Sequence, residues 1–150
     1  MKRKLLILVL ALVPLVSFAQ GYNQGKTALT RFLVRMYGNT PFEGVKVVDD
    51  YDHRYLLSVL SLSKEKYQSE SVMNRVASVK AMSQASRYFN GSYTASDLII
   101  RTSEKKGASD TEIIETIKER SAGYVKALEY LTSFDNSSGN RVFMYIKQMD

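Results

Sequence analysis

The chain has no cysteine, no tryptophan, one histidine (His53), 2 prolines and 8 glycines among its 150 residues. Without cysteine there is no disulfide scaffold, no thiolate metal site, no cysteine nucleophile and no lipid-modified N-terminal cysteine. A single histidine removes most histidine-based metal sites and weakens any serine–histidine triad. Hydrophobic residues make up 45% of the chain and charged residues 24%. With so little proline and glycine, that composition is globular rather than disordered or collagen-like. The length suits one domain, or one with an appendage, and leaves little room for two independent cores.

What is present begins with an address. Lys2-Arg3-Lys4 form a basic opening, and Leu5 to Phe18 is apolar except for Pro14 and Ser17. Ser17-Phe18-Ala19 then sets small residues where a signal peptidase reads, so cleavage is expected before Gln20. The apolar run is shorter than the roughly 20 residues of a spanning helix, which favours a cleaved leader over an anchor. The expected organisation is a signal peptide over 1–19 and a single domain over 20–150, with no integral span after cleavage. The leader carries three of the charges behind the formal +6 of the chain. Half of the basicity leaves with it, and the remaining lysines and arginines are interleaved with acids, which argues against nucleic acid as a partner.

Within 20–150 the periodicity predicts a helix from about Thr27 to Tyr37, with Leu29, Phe32, Leu33 and Met36 on one stripe. Gly38 is suited to a left-handed cap, and Pro41 prevents continuation. Val45–Val48 and Tyr55–Leu62 read as a hairpin around Asp49–His53. A long helix is expected from about Lys64 to Phe89, its stripe formed by Val72, Val76, Val79, Met82, Ala85 and Phe89, with Asn90-Gly91 as the stop. The alanines and serines on it allow close approach to a sheet. Tyr93–Thr102 reads as a strand and Ser109–Lys118 as a short helix opened by a capping box, with an irregular strand as the competing reading. Tyr124–Thr132 and Arg141–Lys147 read as paired strands around Asp135–Asn140, with Val142, Met144 and Ile146 on one side of the last strand and Phe143 and Tyr145 on the other. That order predicts an α+β fold, an antiparallel sheet with the long helix and the N-terminal helix packed on one face.

The portion from about Asn74 to Lys147 resembles a small envelope-lipoprotein family named after a twenty-kilodalton lipoprotein (LPP-twenty-like), whose domain also occurs in a flagellar assembly protein. The resemblance lies in Ala77, Ala81 and Ala85 on a helix ending at Phe89-Asn90-Gly91, then a serine- and threonine-rich strand through Ser96 and Thr102. It continues in Glu119-Arg120-Ser121-Ala122-Gly123-Tyr124-Val125, Leu128–Leu131 and the glycine-turn strand Gly139–Ile146. It implies a helix on a three- or four-stranded antiparallel sheet in a non-catalytic envelope or surface-assembly protein. Many members carry a lipidated cysteine, which this chain lacks.

Three groups of residues invite a chemical reading. Asp49, Asp50, Asp52 and His53 offer oxygen and imidazole ligands, but their spacing misses the calcium-loop template, and a solvated loop tip is the simpler role. Ser61-x-x-Lys64 and Ser63-x-x-Lys66 match a serine–lysine nucleophile spacing without its companion motifs, and helix capping by Ser63 accounts for one of them. Tyr88, Tyr93, Tyr124, Tyr130 and Tyr145 are suited to lining a ligand or partner surface, or to ordinary half-buried sheet positions. Arg75 and Arg87 suit anionic groups or a solvated helix face, and Asn90-Gly91-Ser92 and Asn136-Ser137-Ser138 read as turns. The sequence therefore assigns no catalytic, cofactor-binding or metal-ligating residue and no cofactor. It leads to an exported, non-enzymatic protein, periplasmic or secreted and not lipid-anchored, that works through contact with a protein partner in the cell envelope. The alternatives are a periplasmic small-ligand carrier, with the tyrosines around a pocket between helix and sheet, and a hydrolase using Ser61 or Ser63.

Overall fold

The computed structural model describes residues 17–51, 53–91, 99–101, 109 and 121–149. The basic opening and apolar run, Tyr93, Asp52 and the Asp110–Lys118 segment lie outside them. The chain divides into two compact units, Met1–Met36 and Tyr37–Asp150. The first unit holds most of helix α1, Ser17–Asn39, which is longer at both ends than the periodicity indicated. Gly38 is helical within it and does not form a left-handed cap. Phe32 and Met36, two of the four stripe residues, are exposed.

The second unit is α+β. In chain order it holds β1 (Gly44–Asp50), β2 (His53–Ser63), α2 (Glu70–Asn90), β3 (Ile99–Arg101), α3 (Ser121–Lys126), β4 (Glu129–Asp135) and β5 (Asn140–Gln148). The strands form one sheet in the order β3-β1-β2-β5-β4. Three neighbouring pairs are antiparallel, while β3 joins β1 in parallel through Val47↔Ile99. The sheet is thus mixed, since a parallel neighbour needs a crossover connection and α2 lies within this one.

β1 and β2 form the expected hairpin, with Val48 opposite Tyr55. Their strands run on to Asp50 and His53, which shortens the turn and puts Tyr51 in the left-handed region at φ 55°. At the other end Gly44, at φ +142°, starts β1 with the Phe42 ring against it. A Cβ there would stand 3.2 Å from that ring, so both the backbone and the contact call for glycine. The β4–β5 hairpin is closed by a turn in which the Gly139 amide donates to the Asn136 carbonyl at 3.1 Å, with Gly139 itself at φ 77°. Asn136 Oδ1 accepts from the Ser138 and Asn140 amides, an Asx turn that holds the loop. β4 starts at Glu129, not Tyr124: Tyr124–Lys126 are helical, and Tyr124 Oη donates to the Met149 carbonyl at 2.9 Å.

α2 starts at Glu70, not Lys64. Ser69 occupies the cap position, and Ser63, at the end of β2, caps nothing. The helix stops at Asn90-Gly91 as expected, but Gly91 is extended rather than left-handed. Its buried face is Met73, Ala77, Ala81, Ala85 and Tyr88, whereas the expected stripe members Val72 and Val79 are exposed. Three alanines at four-residue steps leave no bulk between helix backbone and sheet, so the axis can come close. Ser58, fully buried on β2, lies 3.2 Å from the Ala81 carbonyl and 3.0 Å from Gln84 Oε1. Those partners satisfy a hydroxyl that the core would otherwise strand.

This face of the sheet carries Val45, Val47, Leu56, Leu60, Leu62, Phe143 and Tyr145 in two clusters with the helix. Val48, Leu57, Val59, Val142, Met144 and Ile146 alternate with them on the other face and are buried too. Apolar residues on both faces of β5 fit either a doubly covered strand or an exposed aromatic contact surface, and the burial of Val142 through Ile146 shows the first.

Candidate functional site

β2 outruns β1. The ladder ends at Gly44↔Val59, leaving Ser61 beyond the last β1 partner. Its amide donates to Glu43 Oε1, and its side chain lies on the sheet face away from α2, opposite Val142 of β5. Ser61 and Val142 form the floor of a cleft of about 510 Å³. One wall is the chain from Tyr37 through Pro41 and Phe42 to Glu43, and the other is the β4–β5 turn with Asn136, Ser138 and Asn140. The Tyr37 and Phe42 rings stack with centroids 5.1 Å apart, and the Lys46 ammonium sits 5.3 Å over the Phe42 ring.

Two hydroxyls of cleft-lining residues, Tyr37 Oη and Ser61 Oγ, are closed off from solvent and have no hydrogen-bond partner among the described residues. Tyr37 itself is only 7% exposed. Such groups are rare in folded proteins, because each costs about 1–3 kcal/mol when left unsatisfied. Burial pushes the Tyr37 hydroxyl up to about 12 from an ordinary 10.0. The neutral form is the one the fold favours. Its stabilising contribution is therefore complete below pH 10 and lost as pH rises through about 12. Ultraviolet titration should show a late-ionising tyrosine that Tyr37→Phe removes.

An ion cluster fixes the base of the β4–β5 turn. Asp135 accepts from Arg141 Nε and from Lys64 Nζ, each at 2.9 Å, and Arg141 Nη1 reaches Glu70 Oε1 at 3.0 Å. Hydrogen bonds from Arg141 first and Lys64 second hold the Asp135 carboxyl down at about 2, from 3.8. The pairing is thus complete above pH 3.8 and lost as pH falls through about 2. A carboxyl-carbon NMR titration should place the Asp135 midpoint near that value, and Arg141→Met should move it up.

The cluster also answers the serine–lysine reading. Lys64 is engaged with Asp135 and not with Ser61 Oγ, while the Lys66 ammonium lies 5.6 Å over the Tyr67 ring. The acidic turn is likewise dispersed. Asp49 pairs with Arg54 at 3.7 Å, and His53 Nδ1 lies 3.4 Å from Gln148 Nε2. Asp52 lies outside the described residues, and among those described no three metal-ligating side chains converge. Among the described residues, two of the five tyrosines meet, Tyr130 and Tyr145. Tyr88 is buried against Phe89, Tyr145 Oη donates to the Asn74 carbonyl, and exposed Tyr130 packs edge-on to Tyr145. Arg75 and Arg87 stay on the exposed face of α2.

Of the residues singled out in the sequence, Ser61 and the Asn136–Ser138 turn reach the cleft. Tyr37, Phe42, Glu43 and Asn140 were missed. Only the crowded Pro41-Phe42-Glu43-Gly44 stretch after a helix hinted at a shaped loop. Comparison of the chain with protein-family models, with curated proteins and with solved structures gave no match.

Proposed function

We propose that the protein is an exported, non-enzymatic binding protein of the cell envelope that holds a small polar ligand in the Tyr37–Ser61 cleft. The observation that carries this reading is the cleft itself, about 510 Å³ with Glu43, Ser138 and Asn140 set beside the apolar Pro41, Phe42 and Val142. Export rests on the basic, apolar and small-residue order of Lys2 to Ala19, and the envelope on the resemblance of Asn74–Lys147 to the LPP-twenty-like family. The engagement of Lys64 with Asp135 favours binding over turnover at Ser61. Native mass spectrometry of protein recovered from the periplasm of an exporting host tests it. A bound small-molecule mass is expected on a chain starting at Gln20, and it should be lost when the cleft lining is cut back, in Phe42→Ala and in Asn140→Ala. No adduct, or one equally retained by both variants, overturns the reading.

A second reading, contact with an envelope protein, is favoured by β4. It forms an edge of the sheet among the described residues and presents Tyr130, 54% exposed. Edge strands are templates for pairing with another chain. Tyr130→Lys should abolish co-purification of a specific partner from envelope extracts, whereas a monomeric protein without one counts against it.

A further inference from the structure

Helix α1 carries no aspartate or glutamate in its 23 residues, while it holds Lys26, Arg31 and Arg35. Leu29 and Leu33 are buried, whereas Arg31, Phe32, Arg35 and Met36 are exposed. Residues four apart line up on a helix, so Ala28, Phe32 and Met36 form one row and Arg31 and Arg35 the row beside it. Phe32 and Met36 are each 41% exposed. Of the large apolar side chains exposed among the described residues, they are the two that stand one helical turn apart. Neither arginine has an ion-pair partner among the described residues. Single exposed apolar residues need no explanation, but an apolar row beside a cationic row does.

A second copy of the chain, packed on this face about a two-fold axis, would set arginines against arginines with no acid on the helix between them. An acidic protein would answer the charge, yet pairs with two exposed arginines contribute little by themselves and leave the apolar row unmet. A bilayer of anionic phospholipid answers both rows. Its phosphates attract the guanidinium groups, and the ring and the thioether enter the boundary between headgroups and acyl chains. We infer that the exposed face of α1 around Phe32 and Arg35 docks the exported protein on an anionic phospholipid membrane. The helix lies along the surface rather than through it, since no described helix is long and apolar enough to cross. Cleavage before Gln20 removes none of these side chains. The inference stands apart from the cleft and does not depend on a ligand there.

The test is flotation of the intact exported chain with vesicles of phosphatidylcholine alone and of equal parts phosphatidylcholine and phosphatidylglycerol. Binding is expected on the second and not on the first, and it should fall as salt is raised, because the attraction is screened. Arg31→Gln and Arg35→Gln should each weaken it about fivefold, the worth of one cation at an anionic surface. Phe32→Ser combined with Met36→Ser should weaken it about tenfold, since less apolar area then leaves water. All four positions are exposed, so the variants should keep the far-ultraviolet spectrum and urea midpoint of the parent. Arg75→Gln on α2, an exposed arginine outside this face, should leave binding unchanged. The inference is overturned by absent binding to the phosphatidylglycerol vesicles, by equal binding to both kinds, or by binding that survives the α1 substitutions. A loss that Arg75→Gln reproduces in full overturns it too, as mere net charge. Without vesicle binding, a dimer that Phe32→Ser dissolves would assign the face to a second copy, and retention on polyglutamate would assign it to an acidic protein.

Discussion

Phe143→Ala is expected to lower the unfolding free energy by about 3–5 kcal/mol, the usual cost of removing a buried aromatic ring. Phe143 is 1% exposed and sits on β5 opposite Leu60, in the cluster formed by Leu62, Met73, Ala77, Ala81 and Tyr145. The ring is the largest fully buried side chain among the described residues, and two of the α2 residues in its cluster, Ala77 and Ala81, have methyls too short to refill the space. The cavity term therefore adds to the lost transfer energy rather than relaxing away. Against a total stability of about 5–15 kcal/mol for a domain, this one change removes a large share. Urea unfolding is the measurement, with the midpoint falling and the slope unchanged. Tyr130→Ala supplies the contrast. Its ring is exposed and touches the core only edge-on at Tyr145, so a loss of about 1 kcal/mol or less is expected. Equal losses at the two positions would mean that the α2 face of the sheet is not the core.

Phe143 also marks what was legible in the sequence. Strict alternation along Arg141–Lys147 sorted Phe143 and Tyr145 onto one face and Val142, Met144 and Ile146 onto the other, and the structure keeps that division. Both hairpins were legible because turn chemistry is local: Asn136 and Gly139 can be recognised without knowing what packs on them. The parallel β3 was not, since pairing with β1 depends on where α2 returns the chain, and a three-residue strand carries no mark of direction. Nor was the cleft. Its floor comes from β2 and β5, its walls from the stretch after α1 and from the last turn, and no spacing rule joins segments so far apart in the chain. Ser61 was singled out for nucleophile chemistry, yet what distinguishes it is an unsatisfied hydroxyl, a property of burial that composition does not carry.

On α2 the expected stripe was right at Ala85, Met82 and Phe89 and wrong at Val72 and Val79, and there the second large effect is expected. Hydropathy gives weight to Val72, Val76 and Val79, but area and proximity pull in opposite directions on a helix that lies close to a sheet. A valine buries more surface, whereas an alanine lets two backbones approach and a buried serine reach across, as Ser58 does to the Ala81 carbonyl. The helix accordingly turns its alanines inward and leaves Val72 and Val79 48% and 58% exposed. Ala81→Leu should then cost about 3 kcal/mol, the upper part of the usual range for overpacking. The site is fully buried beside Leu60 and Phe143, and moving the helix outward also breaks the Ser58 contact. Helix propensity cannot account for such a loss, because leucine is nearly as good a helix former as alanine. Val79→Ala should be neutral or slightly stabilising, since an exposed β-branched residue is exchanged for the best helix former. Thermal and urea unfolding of the two variants decide the orientation of the helix. A tolerated leucine at 81 together with a costly alanine at 79 would put the valine stripe, not the alanines, against the sheet.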